Sequence, residues 1–69
     1  MNNPFAPLTV RETEILLHVA HGRRNCEIAR TCGITTRSVE RHLTHLFTKL
    51  QVPNRTAAIA MYWRHYPNE

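Results

Sequence analysis

Glycine is scarce in this chain: Gly22 and Gly33 are the only two among 69 residues. No glycine-rich loop is present to cradle a phosphate. No Ser-His-Asp set and no paired carboxylates at catalytic spacing occur either, so enzymatic activity is not expected. Cysteine is limited to Cys26 and Cys32. They lie six residues apart within one expected helix and on different faces of it, which excludes a disulfide between them. Two free thiols suit a reducing cytoplasm. The apolar runs are too short to span a bilayer, and no basic segment followed by an apolar stretch opens the chain as a secretory signal would. Acidic residues are also few, five against nine Lys and Arg, for a formal charge of +4. A small domain with that balance attracts polyanions, chiefly nucleic acid or an acidic membrane surface. The length allows one domain with one small core.

What is present is helical patterning. Residues 1–7 hold two prolines and no apolar period and read as an irregular arm. Thr9 and Glu12 fit a capping box. The first helix is expected over about 10–21, with Ile15, Leu16, Val19 and Ala20 inward and Gly22 as the stop. A shorter helix is expected over 25–32, capped by Asn25, with Ile28, Ala29 and Cys32 inward and Gly33 at its end. Thr35 or Thr36 caps a third helix over 36–50. Along it Val39, Leu43, Leu46 and Leu50 share one face, and Arg37, Arg41, His45 and Lys49 follow one another at i+4 steps on the far side. Pro53 breaks the chain, and Asn54 caps a fourth helix over 55–65. Its inward face is Ala58, Ile59 and Tyr62; Ala57, Ala60, Met61 and Arg64 form a second face. The fold class is therefore all-α, four helices with no strand: a domain over residues 8–66 and a tail over 67–69.

Residues 25–44 carry the pattern of a helix-turn-helix. A small residue, Ala29, stands where the helices approach, Gly33 stands in the turn, and Ile28, Cys32, Ile34 and Val39 set the crossing. The longer run adds Leu-Thr-Val-Arg-Glu at 8–12, Gly22 with Glu27, Ile28 and Ala29, Ser38 and Val39 with His42, Lys49, Leu50 and Val52, and Asn54 with Arg55. This run resembles the DNA-binding domain of the LuxR/FixJ family, the GerE-like helix-turn-helix, from residue 8 to about 63. Four positions depart from the family's usual residues. Arg24 stands where Ser or Thr caps the second helix, and Cys32 where Leu is usual. Gln51 replaces a Gly, which implies a wider turn, and Glu40 replaces a Lys or Arg.

The resemblance implies sequence-specific binding of double-stranded DNA for bacterial transcriptional regulation. The third helix would lie in the major groove, and RNA polymerase would be recruited or blocked. Arg37, Glu40, Arg41 and Thr44 are the candidate base contacts, Arg41 foremost because its fork fits guanine O6 and N7. Arg23, Arg24, Asn25, Thr36, Ser38, His45 and Lys49 are the candidate phosphate contacts. Against this stands the plainer reading of a solvated charged face, with Thr36 and Ser38 only caps. Glu12, Gly33, His42 and Arg55 are assigned to structure: His42 buried and hydrogen-bonded, Glu12 and Arg55 paired with each other or with helix ends. Ala57, Ala60, Met61 and Arg64 match the family's dimer face, and the homodimer is expected to be weak and promoted by DNA.

The alternative function is a protein-interaction module that pairs with a related regulator and antagonises its DNA binding. Membrane binding is not expected, because the basic face lacks an apolar stripe beside it. No cofactor or metal is expected either. His18, His21, Cys26 and Cys32 fit no common zinc spacing, and both thiols read as facing the core.

Overall fold

The structure is a computed structural model and describes residues 3–67. Four α-helices follow one another: α1 (Val10–Ala20), α2 (Asn25–Cys32), α3 (Thr36–Leu50) and α4 (Arg55–His65). No strand occurs among the described residues. The expected all-α class and helix order hold; residues 1–2 of the arm and 68–69 of the tail lie outside the described residues.

Each helix starts for a local reason. At α1 the Thr9 hydroxyl accepts from the Glu12 N–H at 3.1 Å, and a Glu12 carboxylate oxygen accepts from the Thr9 N–H at 2.9 Å. Thr35, not Thr36, caps α3 by accepting from the Ser38 N–H at 3.0 Å. Asn54 caps α4 by accepting from the Ala57 N–H at 2.9 Å. The cap of α2 corrects the sequence reading: Arg24 occupies the N-cap and Asn25 is the first helical residue. Arginine carries no acceptor to satisfy the helix donors, so half of a capping box remains, Glu27 accepting from the Arg24 N–H at 2.7 Å.

The turns split by residue type. Gly33 ends α2 at φ 70°, in the left-handed region, with open space where a Cβ would stand. The demand there is for backbone conformation, not for room. Gln51 ends α3 at φ 58° and is the only non-glycine at positive φ among the described residues. The wider turn expected at Gln51 is not formed. Gln51 takes the glycine-like conformation itself, and the Val52 N–H closes on the Phe47 carbonyl at 3.0 Å.

The core is the sum of the helix faces. Ile15, Leu16, Val19, Ile28, Val39, Leu46 and Ala58 are essentially without exposure, with Leu43, Leu50 and Tyr62 beside them. Phe5, in the segment read as an irregular arm, is buried as well. Its ring stacks on Tyr66 at 5.7 Å and meets the edge of His65 at 5.3 Å. Trp63 Nε1 donates to the Ala20 carbonyl at 3.0 Å, which fixes α4 on the end of α1.

Candidate nucleic-acid interface

Helix α3 is continuous over its 15 residues, about 22 Å at 1.5 Å per residue. Its buried face is Val39, Leu43, Leu46 and Leu50. Arg37, Glu40, Arg41, Thr44 and His45 are exposed on the remaining surface. The first four form one outward patch that combines two guanidinium forks, a carboxylate and a hydroxyl. The Thr44 hydroxyl donates to the Glu40 carbonyl at 3.1 Å, and Thr48 repeats the bond one turn later onto Thr44 at 3.0 Å. With its proton so committed, the Thr44 oxygen can only accept and its methyl is the remaining apolar surface.

Five of the candidate phosphate contacts fall into two places, and His45 and Lys49 lie further along α3. Arg23, Arg24 and Asn25 lead into α2, the arginines exposed and Asn25 half-buried. Thr36 and Ser38 lie in the first turn of α3, Thr36 exposed and Ser38 half-buried. The segment before α2 is held from a distance. Arg55 Nη1 donates to Asn25 Oδ1 at 2.7 Å, and Arg55 Nη2 donates to the Arg23 carbonyl. With its oxygen occupied, Asn25 keeps its amide N–H donors for another partner. Glu27 lies beside the same segment, 3.5 Å from Arg24 Nε. The backbone N–H of Arg24 holds its carboxyl below its ordinary value, against the opposing effect of desolvation.

Lys49, read from sequence as a phosphate contact, also has a partner within the fold. Its Nζ lies 2.7 Å from Glu12 Oε1, and the Glu12 side chain is 5% exposed. Burial pushes the Glu12 carboxyl up. Hydrogen bonds from Lys49 and from the Thr9 N–H, with the Lys49 charge, outweigh it and hold the carboxyl below its ordinary value. The ammonium is thus paired with Glu12 while the Lys49 side chain stays partly exposed. Of the two arrangements expected for Glu12 and Arg55, the mutual pair is not formed: Glu12 pairs with its own helix end, as the other arrangement has it, and with Lys49, while Arg55 serves the segment leading into α2. A partner 37 residues away leaves no local signal in a sequence.

Two further readings change. His42 is half-buried, not buried, and its ring forms no hydrogen bond among the described residues. Cys26 is exposed and Cys32 half-buried, so the thiols do not both face the core. On α4, Ala60 and Arg64 are exposed while Ala57 and Met61 are half-buried, Met61 packing partly on the core. Pro4, Met61, Arg64 and His65 line a shallow cleft there. Among the described residues no helix is long and apolar enough to cross a membrane.

A short helix, a left-handed glycine corner and a second, longer helix with its polar face bare form the helix-turn-helix arrangement over residues 25–50. The sequence profile described as "Bacterial regulatory proteins, luxR family" matches residues 6–62. The chain belongs to that family. Among curated proteins it is 41% identical over 61 residues to the probable transcriptional regulatory protein SgaR of Hyphomicrobium methylovorum. It is 43% identical over 61 residues to the response regulator protein VraR of Staphylococcus aureus. Each alignment covers 88% of this chain and 29% of the relative, so the chain spans under a third of the length of these regulators. As a member of the luxR family, this domain is a regulatory module and not one of an enzyme family.

Proposed function

We propose that this chain binds double-stranded DNA sequence-specifically and regulates transcription, with α3 seated in the major groove. The observation that carries the reading is the unbroken α3 with Arg37, Glu40, Arg41 and Thr44 bare on the face opposite its buried leucines. The major groove admits one α-helix and offers a distinct donor and acceptor pattern for each base pair. Arg41 takes guanine through O6 and N7, Glu40 accepts from cytosine N4, and Thr44 offers a methyl to thymine. Arg23, Arg24, the Asn25 amide, Thr36, Ser38 and His45 hold the flanking phosphates. Two copies meet on the DNA through Ala57, Ala60, Met61 and Arg64 of α4. The contact is small, so the free protein is mainly monomeric.

The test is selection of bound sequences from a random duplex pool, followed by binding of the selected site. The wild-type chain enriches one motif, and Arg41→Ala loses about 1–3 kcal/mol of discrimination at one base pair while keeping nonspecific binding. Unchanged site preference in Arg41→Ala overturns the groove assignment. No affinity for random duplex even at low salt, where duplex binders hold tightly, turns the reading toward a module that pairs with a related regulator.

A further inference from the structure

Outside the α3 surface, one group of side chains has no part in the proposed binding of DNA. Glu14 and His18 stand at i and i+4 on α1, so they share a face. Cys32, the last residue of α2, comes up against them. A carboxylate oxygen of Glu14, an imidazole nitrogen of His18 and Cys32 Sγ all lie within 4.8 Å of one another. We propose that these three residues form a binding site for a divalent transition-metal ion of the Zn2+ type, joining α1 to the end of α2.

The donor set selects the class of ion. A thiolate and an imidazole disfavour Mg2+ and Ca2+, which take oxygen ligands, and a single sulfur does not support an iron–sulfur cluster. One sulfur, one nitrogen and one oxygen suit Zn2+ with a fourth position left for water. Bond lengths of about 2.0–2.3 Å around a tetrahedral ion place the ligand atoms about 3.4–3.6 Å apart. The trio therefore has to close by no more than about 1 Å. Glu14 is exposed and can make most of that movement by leaving Arg11, whereas His18 and Cys32 are half-buried.

A second observation singles out the histidine. His18 Nδ1 is buried and has no hydrogen-bond partner among the described residues. Buried polar atoms ordinarily have one. The ring is not committed to the fold by hydrogen bonds and stands beside a thiol and a carboxylate. The other residues that the sequence offered do not join it. His21 is exposed, with Nδ1 donating to the Leu17 carbonyl at 2.8 Å, and Cys26 is exposed and does not belong to the cluster.

The charges balance. Binding expels the Cys32 thiol proton to solvent, and the thiolate and Glu14 carboxylate together neutralise the 2+ ion, with His18 neutral. Arg11 is the opposing group: its Nη1 lies 3.6 Å from Glu14 Oε1 and donates to the Cys32 carbonyl at 3.2 Å. The ion has to take Glu14 from Arg11, and Arg11→Gln should tighten the site.

The experiment is titration of the untagged, reduced, metal-stripped full chain with Co2+, whose tetrahedral thiolate complexes absorb in the visible and near ultraviolet, followed by Zn2+. The expected result is a one-to-one sulfur-to-cobalt charge-transfer band, retained in Cys26→Ser, lost in Cys32→Ser, and bleached by Zn2+. Glu14→Gln, an exposed change that leaves the core alone, should weaken Co2+ binding at least about tenfold, the scale seen when groups around a metal site are removed. Zn2+ should raise the Tm of the wild type and not that of Glu14→Gln. The proposal is overturned by no band at millimolar Co2+, by a band that survives Cys32→Ser or disappears with Cys26→Ser, or by undiminished affinity in Glu14→Gln.

Discussion

Lys49 in the last turn of α3 reaches back to Glu12 in the first turn of α1, with 2.7 Å between Nζ and Oε1. This pair is a strut between α3 and the start of the fold. Glu12 is buried and also accepts from the Thr9 N–H. Removing the ammonium leaves a buried carboxylate short of a partner. Lys49→Met should therefore destabilise the domain by about 1–3 kcal/mol, the usual cost for a bond to a charged group. Urea unfolding of Lys49→Met, Glu12→Gln and the double variant checks it. The double-variant loss should fall short of the sum of the singles. Once stability is corrected for, the salt dependence of DNA binding should hardly change in Lys49→Met, whereas Arg23→Ala should shallow it by about one phosphate contact.

Stability should also fall on acidification. The Glu12 carboxyl is held below its unfolded value of about 4.3, so the unfolded chain takes up protons at a higher pH than the folded one. The contribution is fully present above the unfolded value and disappears as pH falls through the folded one. Urea midpoints between pH 6 and pH 3 measure it. The part of the decline that belongs to this site should be absent in Glu12→Gln.

Gln51→Gly should stabilise the protein. A residue with a Cβ in the left-handed region costs roughly 1–2 kcal/mol, and glycine returns part of that through its freer unfolded chain. The net gain should be about 0.5–1 kcal/mol, or roughly 2–8 °C in Tm for a domain of this size. A lower Tm in the glycine variant contradicts the strain assigned to the turn at φ 58°.

Arg55→Lys should loosen the loop before α2 while leaving the helices formed. One ammonium cannot span the two sites that the fork now holds, Asn25 Oδ1 and the Arg23 carbonyl. Faster amide exchange at residues 23–25, with α3 protection unchanged, is the expected outcome, and DNA affinity should drop for all sequences alike.

On α4, Ala60→Glu should leave the monomer intact, because Ala60 is exposed. It should reduce cooperative binding to a two-half-site duplex while sparing a single half-site. Gel-shift titrations on the two duplexes separate the effects.

Periodicity made the helices and their buried faces readable in advance. Val39, Leu43, Leu46 and Leu50 repeat at helical spacing, and such a stripe has one stable use in a small domain. The outward set on α3 followed by subtraction. What stayed hidden depended on neighbours far apart in the chain. Lys49 looked free because its i+4 row is cationic, and its partner Glu12 lies two helices earlier. Asn25 looked like a cap because its side chain can cap, yet Arg55 takes its oxygen. Phe5 gave one local sign, a lone large apolar residue in a proline-rich arm, and the aromatic end of α4 that receives it lies more than fifty residues downstream. Cys32 and His18 were each visible, but Glu14 and His18 became neighbours of Cys32 only when the end of α2 came up against α1.

The seat of Phe5 among Tyr62, His65 and Tyr66 has a practical bearing on fragment boundaries. A shortened version starting at Leu8 would uncover an aromatic floor at the far end of α4. Such a fragment should self-associate and express poorly even though every helix is retained. Versions meant for biophysical work should begin upstream of Pro4, so that this plug stays in its socket.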